Sequence, residues 1–170
     1  MVRARAWFLG AMLALVMAGA ASAQDWKIYR SDAGRFQADM PGTPTLRTIP
    51  VPVDNGQMTA YFASAYWNGS TYGVMYADYR VEQFDGQSPE ELLKNSAEDA
   101  MEGHRMFSNK AIGVAGHKAR EYVFQRADKM FIINRSVPVG TRLYQVIVST
   151  YGTDATRPDI RRFIDSFSLI

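Results

Sequence analysis

Apolar and polar positions alternate with a period of two through most of the chain. Gly, Pro, Asn, Asp and Ser break the alternation at short intervals. That pattern predicts short, half-buried strands joined by tight turns. Trp26–Arg30 and Arg35–Met40 read as the first two, separated by the turn Ser31-Asp32-Ala33-Gly34. Thr45–Val53 is extended, but Pro50 and Pro52 restrict it to a sheet edge or a loop. Asn55-Gly56 predicts a two-residue hairpin turn into Gln57–Trp67, and Asn68-Gly69-Ser70 a second turn into Thr71–Val81. Strands resume at Lys110–Val114, Ala119–Arg126, Met130–Val137 and Thr141–Tyr151, with a turn at Pro138-Val139-Gly140. The last of these is apolar on both faces, which predicts a central strand buried on both sides.

Two windows switch to helical spacing. In the first, from Pro89 to Glu102, Leu93, Ala97, Ala100 and Met101 form the stripe. Ser88 and Glu91 make a capping box around a proline at the first helical position, and Gly103 suits the stop. The second, near Arg157–Ser166, is expected to bury Ile160, Phe163, Ile164 and Phe167, with Thr156 as its cap. Strands, helix, strands, helix, with hairpin-length connections, predict an α+β fold: a mainly antiparallel sheet flanked by two helices.

The N-terminus follows neither period. Arg3 and Arg5 precede an apolar run from Trp7 to Met17, and small residues fill Ala18 to Ala23. This is the order of a cleavable signal peptide, with the cut expected between Ala23 and Gln24. The alternative is an uncleaved anchor, since Ala6 to Gln24 carries no charge and approaches spanning length. Against it, the last third of that span is Ala, Gly and Ser, and no basic stop-transfer cluster follows. Residues 1–23 are thus expected to leave, and residues 24–170 to form one exported domain. A periplasmic location is expected, and full secretion is the alternative. No second run is long enough to span a bilayer.

Export changes the charge balance. Of 19 basic residues, two leave with the leader, so 17 face 17 acidic ones. A neutral domain has no bulk electrostatic case for nucleic acid. The chain has no cysteine. Stability must therefore come from the core, and thiol catalysis and Cys-ligated metals are excluded.

Four phrases carry a resemblance: Gly34-Arg35-Phe36-Gln37-Ala38-Asp39-Met40-Pro41, Gly113-Val114-Ala115-Gly116-His117-Lys118-Ala119-Arg120-Glu121, Leu143-Tyr144-Gln145-Val146 and Arg162-Phe163-Ile164-Asp165-Ser166-Phe167. With the element order, they resemble the PsbP-like superfamily. It includes photosystem extrinsic subunits, a Ran-binding nuclear import factor and many secreted bacterial proteins. The resemblance implies an α-β-α sandwich and a binding or accessory role. No functional residue of that superfamily matches a position here.

Motifs for chemistry are sparse. Gly69-Ser70-Thr71-Tyr72-Gly73 is not a nucleophile elbow and reads as a hairpin turn. His104 and His117 are the only histidines. His104 with Glu98, Asp99 and Glu102 could offer a metal one imidazole and several oxygens. A solvated acidic helix face explains the same residues, and no metal or cofactor is expected. A hydrolase site could assemble in space around His104 or His117. The richest feature is aromatic: Tyr61, Phe62, Tyr66, Trp67, Tyr72, Tyr76 and Tyr79. Tyr61, Trp67, Tyr72 and Tyr76 are the candidate surface for a small ligand or an envelope partner. Cross-strand pairing within the core is the competing explanation. The expected function is an exported, non-enzymatic binding or accessory domain. A structural or assembly factor using the aromatic face is a further alternative.

Overall fold

The computed structural model describes residues 25–53, 56–80, 88, 91, 103–152 and 154–170. Seven strands form the main sheet: β3 (Thr45–Val53), β4 (Gly56–Trp67), β5 (Ser70–Asp78), β6 (Arg105–Val114), β7 (His117–Gln125), β8 (Phe131–Val139) and β9 (Arg142–Thr150). Their order is β3-β4-β5-β9-β8-β7-β6, and neighbours pair antiparallel. A second, three-stranded sheet has the order β1-β2-β10, from β1 (Trp26–Ser31), β2 (Phe36–Pro41) and β10 (Ser168–Leu169). The helix α1 (Pro158–Ser166) completes the described elements.

The small sheet and α1 lie together on one face of the main sheet. Phe36 packs edge-on against Tyr76 and Tyr144, with ring centroids 6.2 and 6.3 Å apart. Phe163 of α1 meets Tyr72 at 5.6 Å. These rings, with Ala38, Met40, Val74, Ile133, Val146, Val148, Ile160 and Ile164, form one buried cluster. Polar groups fix the placement. The Tyr144 hydroxyl donates to the Gly34 carbonyl at 2.7 Å, and Arg142 donates to the Ala33 and Gly34 carbonyls. Gly34 is required there, because a Cβ would lie 2.6 Å from the Phe36 ring. Ser166 Oγ accepts from the Asp39 amide, and Arg162 Nε donates to Asp39 Oδ2.

Several expectations are corrected. The covering layer is one helix and a small sheet, so two flanking helices and an α-β-α sandwich are not matched among the described residues. The physical reason lies in the hairpin of β1 and β2. It bonds to β10 rather than to the main sheet, and it occupies the covering layer beside α1. The helix expected over 89–102 falls outside the described residues, except for Glu91, which is helical. Its capping box is formed: the Glu91 amide donates to Ser88 Oγ, and the Ser88 amide to Glu91 Oε2 at 2.7 Å.

The turn between β3 and β4 comes one residue early. Val53 pairs with Gly56, so residues 54 and 55 join the strands, and both lie outside the described residues. β6 begins at Arg105 rather than Lys110, because a bulge between Met106 and Ser108 interrupts the alternation. β9 is the central strand. Its Tyr144, Val146, Val148 and Thr150 are buried; on the other face Leu143 is buried, but Gln145, Ile147 and Ser149 are only half-buried. Arg157, not Thr156, caps α1 and makes no side-chain cap bond. Pro158 at N1 holds the preceding residue extended, while Thr156 bonds Asp154 instead.

Candidate functional site

The four candidate aromatics share one face of β4 and β5, and it is the covered face. Tyr72 is fully buried. Its ring meets Trp26 edge-on at 5.6 Å, and its hydroxyl donates to Asp159 Oδ2 at 2.6 Å. Burial, then the Asp159 carboxylate, pushes the Tyr72 phenol well above its ordinary range. Trp67 is half-buried against Trp26 and Tyr72. These two rings seat the start of β1 and the helix.

Tyr61 and Tyr76 behave differently. They are register partners on β4 and β5, and their rings stack at 5.0 Å with 18° between planes. Tyr76 is only 8% exposed, whereas Tyr61 is 43% exposed. The pair lies where the covering layer stops short of the edge strand β3. Between that layer and β3 opens a cleft of about 380 Å³. Tyr29, Ala33 and Phe36 form one wall, Leu46 and Thr48 the other, with Tyr61 and Tyr76 between them. Leu46 is 64% exposed at its rim. Pro50 and Pro52 in β3 remove ladder donors along this edge, so the strand resists pairing with another sheet.

A charged pair lies beside Tyr76, outside the lining of the cleft. The Arg142 guanidinium sits 4.7 Å from the Tyr76 ring centroid and binds both Asp78 oxygens, at 2.6 and 2.7 Å. The fork holds the Asp78 carboxyl below the usual range. Burial raises the Tyr76 phenol despite the nearby guanidinium. The described lining of the cleft is mainly apolar and aromatic, with Arg47 as its charged residue, and it suits a group with a large apolar part.

The histidines are not brought together. His104 lies one residue before β6, and His117 opens β7 opposite Val114, at the far end of the same hairpin. The His104 ring stacks on Phe124 at 5.5 Å, and its buried Nδ1 has no hydrogen-bond partner among the described residues. Glu98, Asp99 and Glu102 fall outside the described residues, among which no cluster of metal-ligating side chains forms.

Sequence reasoning missed an ionic cluster between sheet and helix. Arg135, buried on β8, donates to Glu121 Oε2, Asp165 Oδ1 and the Ile164 carbonyl. Arg161 donates to the same two carboxylates. Burial works to raise the Glu121 carboxyl, but the bonds from Arg161 and Arg135 outweigh it and hold it low. The available signal was a charged residue at an inward-facing position of β8.

No helix of the described residues is long and apolar enough to cross a membrane. No family model matches the chain, and no curated protein matches it in sequence. Its fold is similar to the solution structure of cyanobacterial PsbP (CyanoP) from Synechocystis. The TM-score is 0.54 at 12% identity, over 92% of this chain and 99% of that chain. A crystal structure of a protein of unknown function from Pseudomonas aeruginosa is similar at TM-score 0.44 and 12% identity, over 79% of this chain and 88% of that one. The fold is PsbP-like.

Proposed function

We propose that this protein is an exported, non-enzymatic binding domain of the cell envelope, and that it holds an apolar group in the cleft beside Tyr61 and Tyr76. The observation that carries the reading is the half-exposed Tyr61 ring stacked on a buried Tyr76, next to an exposed Leu46. Exposed aromatic area on a rigid strand binds with little loss of conformational freedom. The cleft has room for a ring system or a short acyl chain. Trp67 and Tyr72 support this site from within the core. Export rests on the leader order of residues 1–23. A second helix over 89–102 belongs to the same reading, supported by the formed capping box at Ser88 and Glu91.

The test is a fluorescence titration of residues 24–170 with N-phenyl-1-naphthylamine, a neutral apolar probe. Binding is expected to weaken about tenfold in Tyr61→Ala, from the apolar contact area removed. No binding, or equal binding by the variant, would overturn the proposal.

A further inference from the structure

The covering layer stops short on the other side of the main sheet too. Among the described residues nothing covers the inward face of β6 and β7 beyond Glu121 and Arg135, and a concave shelf of about 780 Å³ lies there. Its floor is Ser108, Val123 and Gln125, and Arg161 with the loop at Ala155 and Thr156 closes it toward α1. The bulge between Met106 and Ser108 takes Phe107 out of the pairing register. Bulges re-aim side chains in this way. The Phe107 ring stands 48% exposed, 5.1 Å from Phe131, with the Arg105 guanidinium 4.9 Å from its centroid.

The charges of the shelf are unequal. Among the described residues its one carboxylate, Glu121, is already bound by Arg135 and Arg161. Arg105 and Lys110 line the shelf, are exposed, and have no acidic partner among the described residues. An aromatic surface beside two uncommitted cations complements one class of ligand. We propose that this shelf is a second binding site, and that it takes an organic anion: an apolar or aromatic body ending in a carboxylate or a phosphate. The body lies on Phe107 and Val123, and the anionic end meets Arg105 and Lys110. The site is separate from the Tyr61 cleft, which lies at the opposite edge of the sheet.

The experiment is a two-dimensional amide NMR titration of residues 24–170 with three probes: 1-naphthoate, 1-naphthyl phosphate and neutral 1-naphthalenemethanol. Both anions, or one of them, are expected to shift the amides of Ser108, Val123 and Gln125 and to bind more tightly than the alcohol. Which anion binds better identifies the preferred end group. The double variant Arg105→Gln/Lys110→Gln changes two exposed side chains, and its anion binding is expected to weaken at least roughly fivefold. Phe107→Ala weakens all three probes. Three results would each overturn the proposal: undiminished anion binding by the double variant, equal binding of the alcohol, or shifts confined to Thr48, Tyr61 and Ala63 of the other cleft. The last would leave the proposed function standing.

Discussion

Arg135 is a guanidinium almost wholly withdrawn from water within a strand. A buried charge is tolerated only when paired and hydrogen-bonded, and here Glu121, Asp165 and the Ile164 carbonyl meet that need. The arrangement ties β7, β8 and the end of α1 into one unit. It also sets the acid response. Burial tends to raise Glu121, Asp159 and Asp165, but arginine bonds hold all three carboxyls below their ordinary range. For Asp78 the Arg142 fork is the leading cause of the same depression. A carboxyl that is more acidic when folded contributes stability above its unfolded pKa of about 4. That contribution is lost as pH falls through the folded value. Urea melts across pH 2–7 should therefore show a plateau near neutrality and a decline below about pH 4. Glu121→Gln should lower the neutral plateau by about 3 kcal/mol, because Arg135 keeps Asp165 but loses its most buried partner. It should also make the acid decline shallower. An unchanged plateau would show that the cluster contributes nothing to stability.

Element by element, the reading succeeded where side-chain period and turn chemistry agreed. Asn68 and Gly69 both take positive φ, 47° and 72°, and join β4 to β5 as their sequence requires. Ala115 does the same at 48°, ahead of Gly116, although alanine advertises no such turn. Pro138 predicts a stop, yet β8 continues through it to Val139, and the two-residue turn is Gly140-Thr141. Local propensity gave way there to pairing with β9. The Ser88–Glu91 box carries a prediction at this scale. Its two bonds satisfy free amides at a helix start, so Ser88→Ala should destabilise the protein by about 1 kcal/mol and reduce helical ellipticity. A neutral substitution would argue against a helix over 89–102. The candidate site was legible only in composition. Strand parity pairs Tyr61 with Trp67 and Tyr72 with Tyr76, and the register of β4 with β5 puts all four on one face. Parity cannot say how far a covering layer reaches, and that reach separates exposed Tyr61 from buried Tyr72. The Arg105 shelf was illegible because it depends on a bulge and on the end of the same layer.

Among the described residues the molecule is a wide sheet under a narrower cover. Three short strands and a nine-residue helix lie over the centre of seven strands. The uncovered margins are the cleft on one side and the shelf on the other. The cover also constrains how the chain can be processed. Trp26, the first strand residue, packs edge-on against Trp67 at 5.7 Å and Tyr72 at 5.6 Å, and the Arg162 guanidinium lies 4.7 Å from its ring centroid. One residue earlier, the Asp25 carbonyl accepts from the Gly42 amide at 3.2 Å. A leader peptidase that cut beyond Asp25 would remove these contacts and loosen the small sheet from its support. The proposed cut between Ala23 and Gln24 would leave these contacts in place. Intact-mass measurement on protein recovered from the envelope of an expressing Gram-negative cell should find a chain beginning at Gln24. Trp26→Ala in that chain should destabilise it by about 2–3 kcal/mol, below the range for a fully buried tryptophan because this one is only half-buried. A full-length mass confined to the cytoplasm would refute export. A mature chain starting after Trp26 with undiminished stability would refute the anchoring role of that ring.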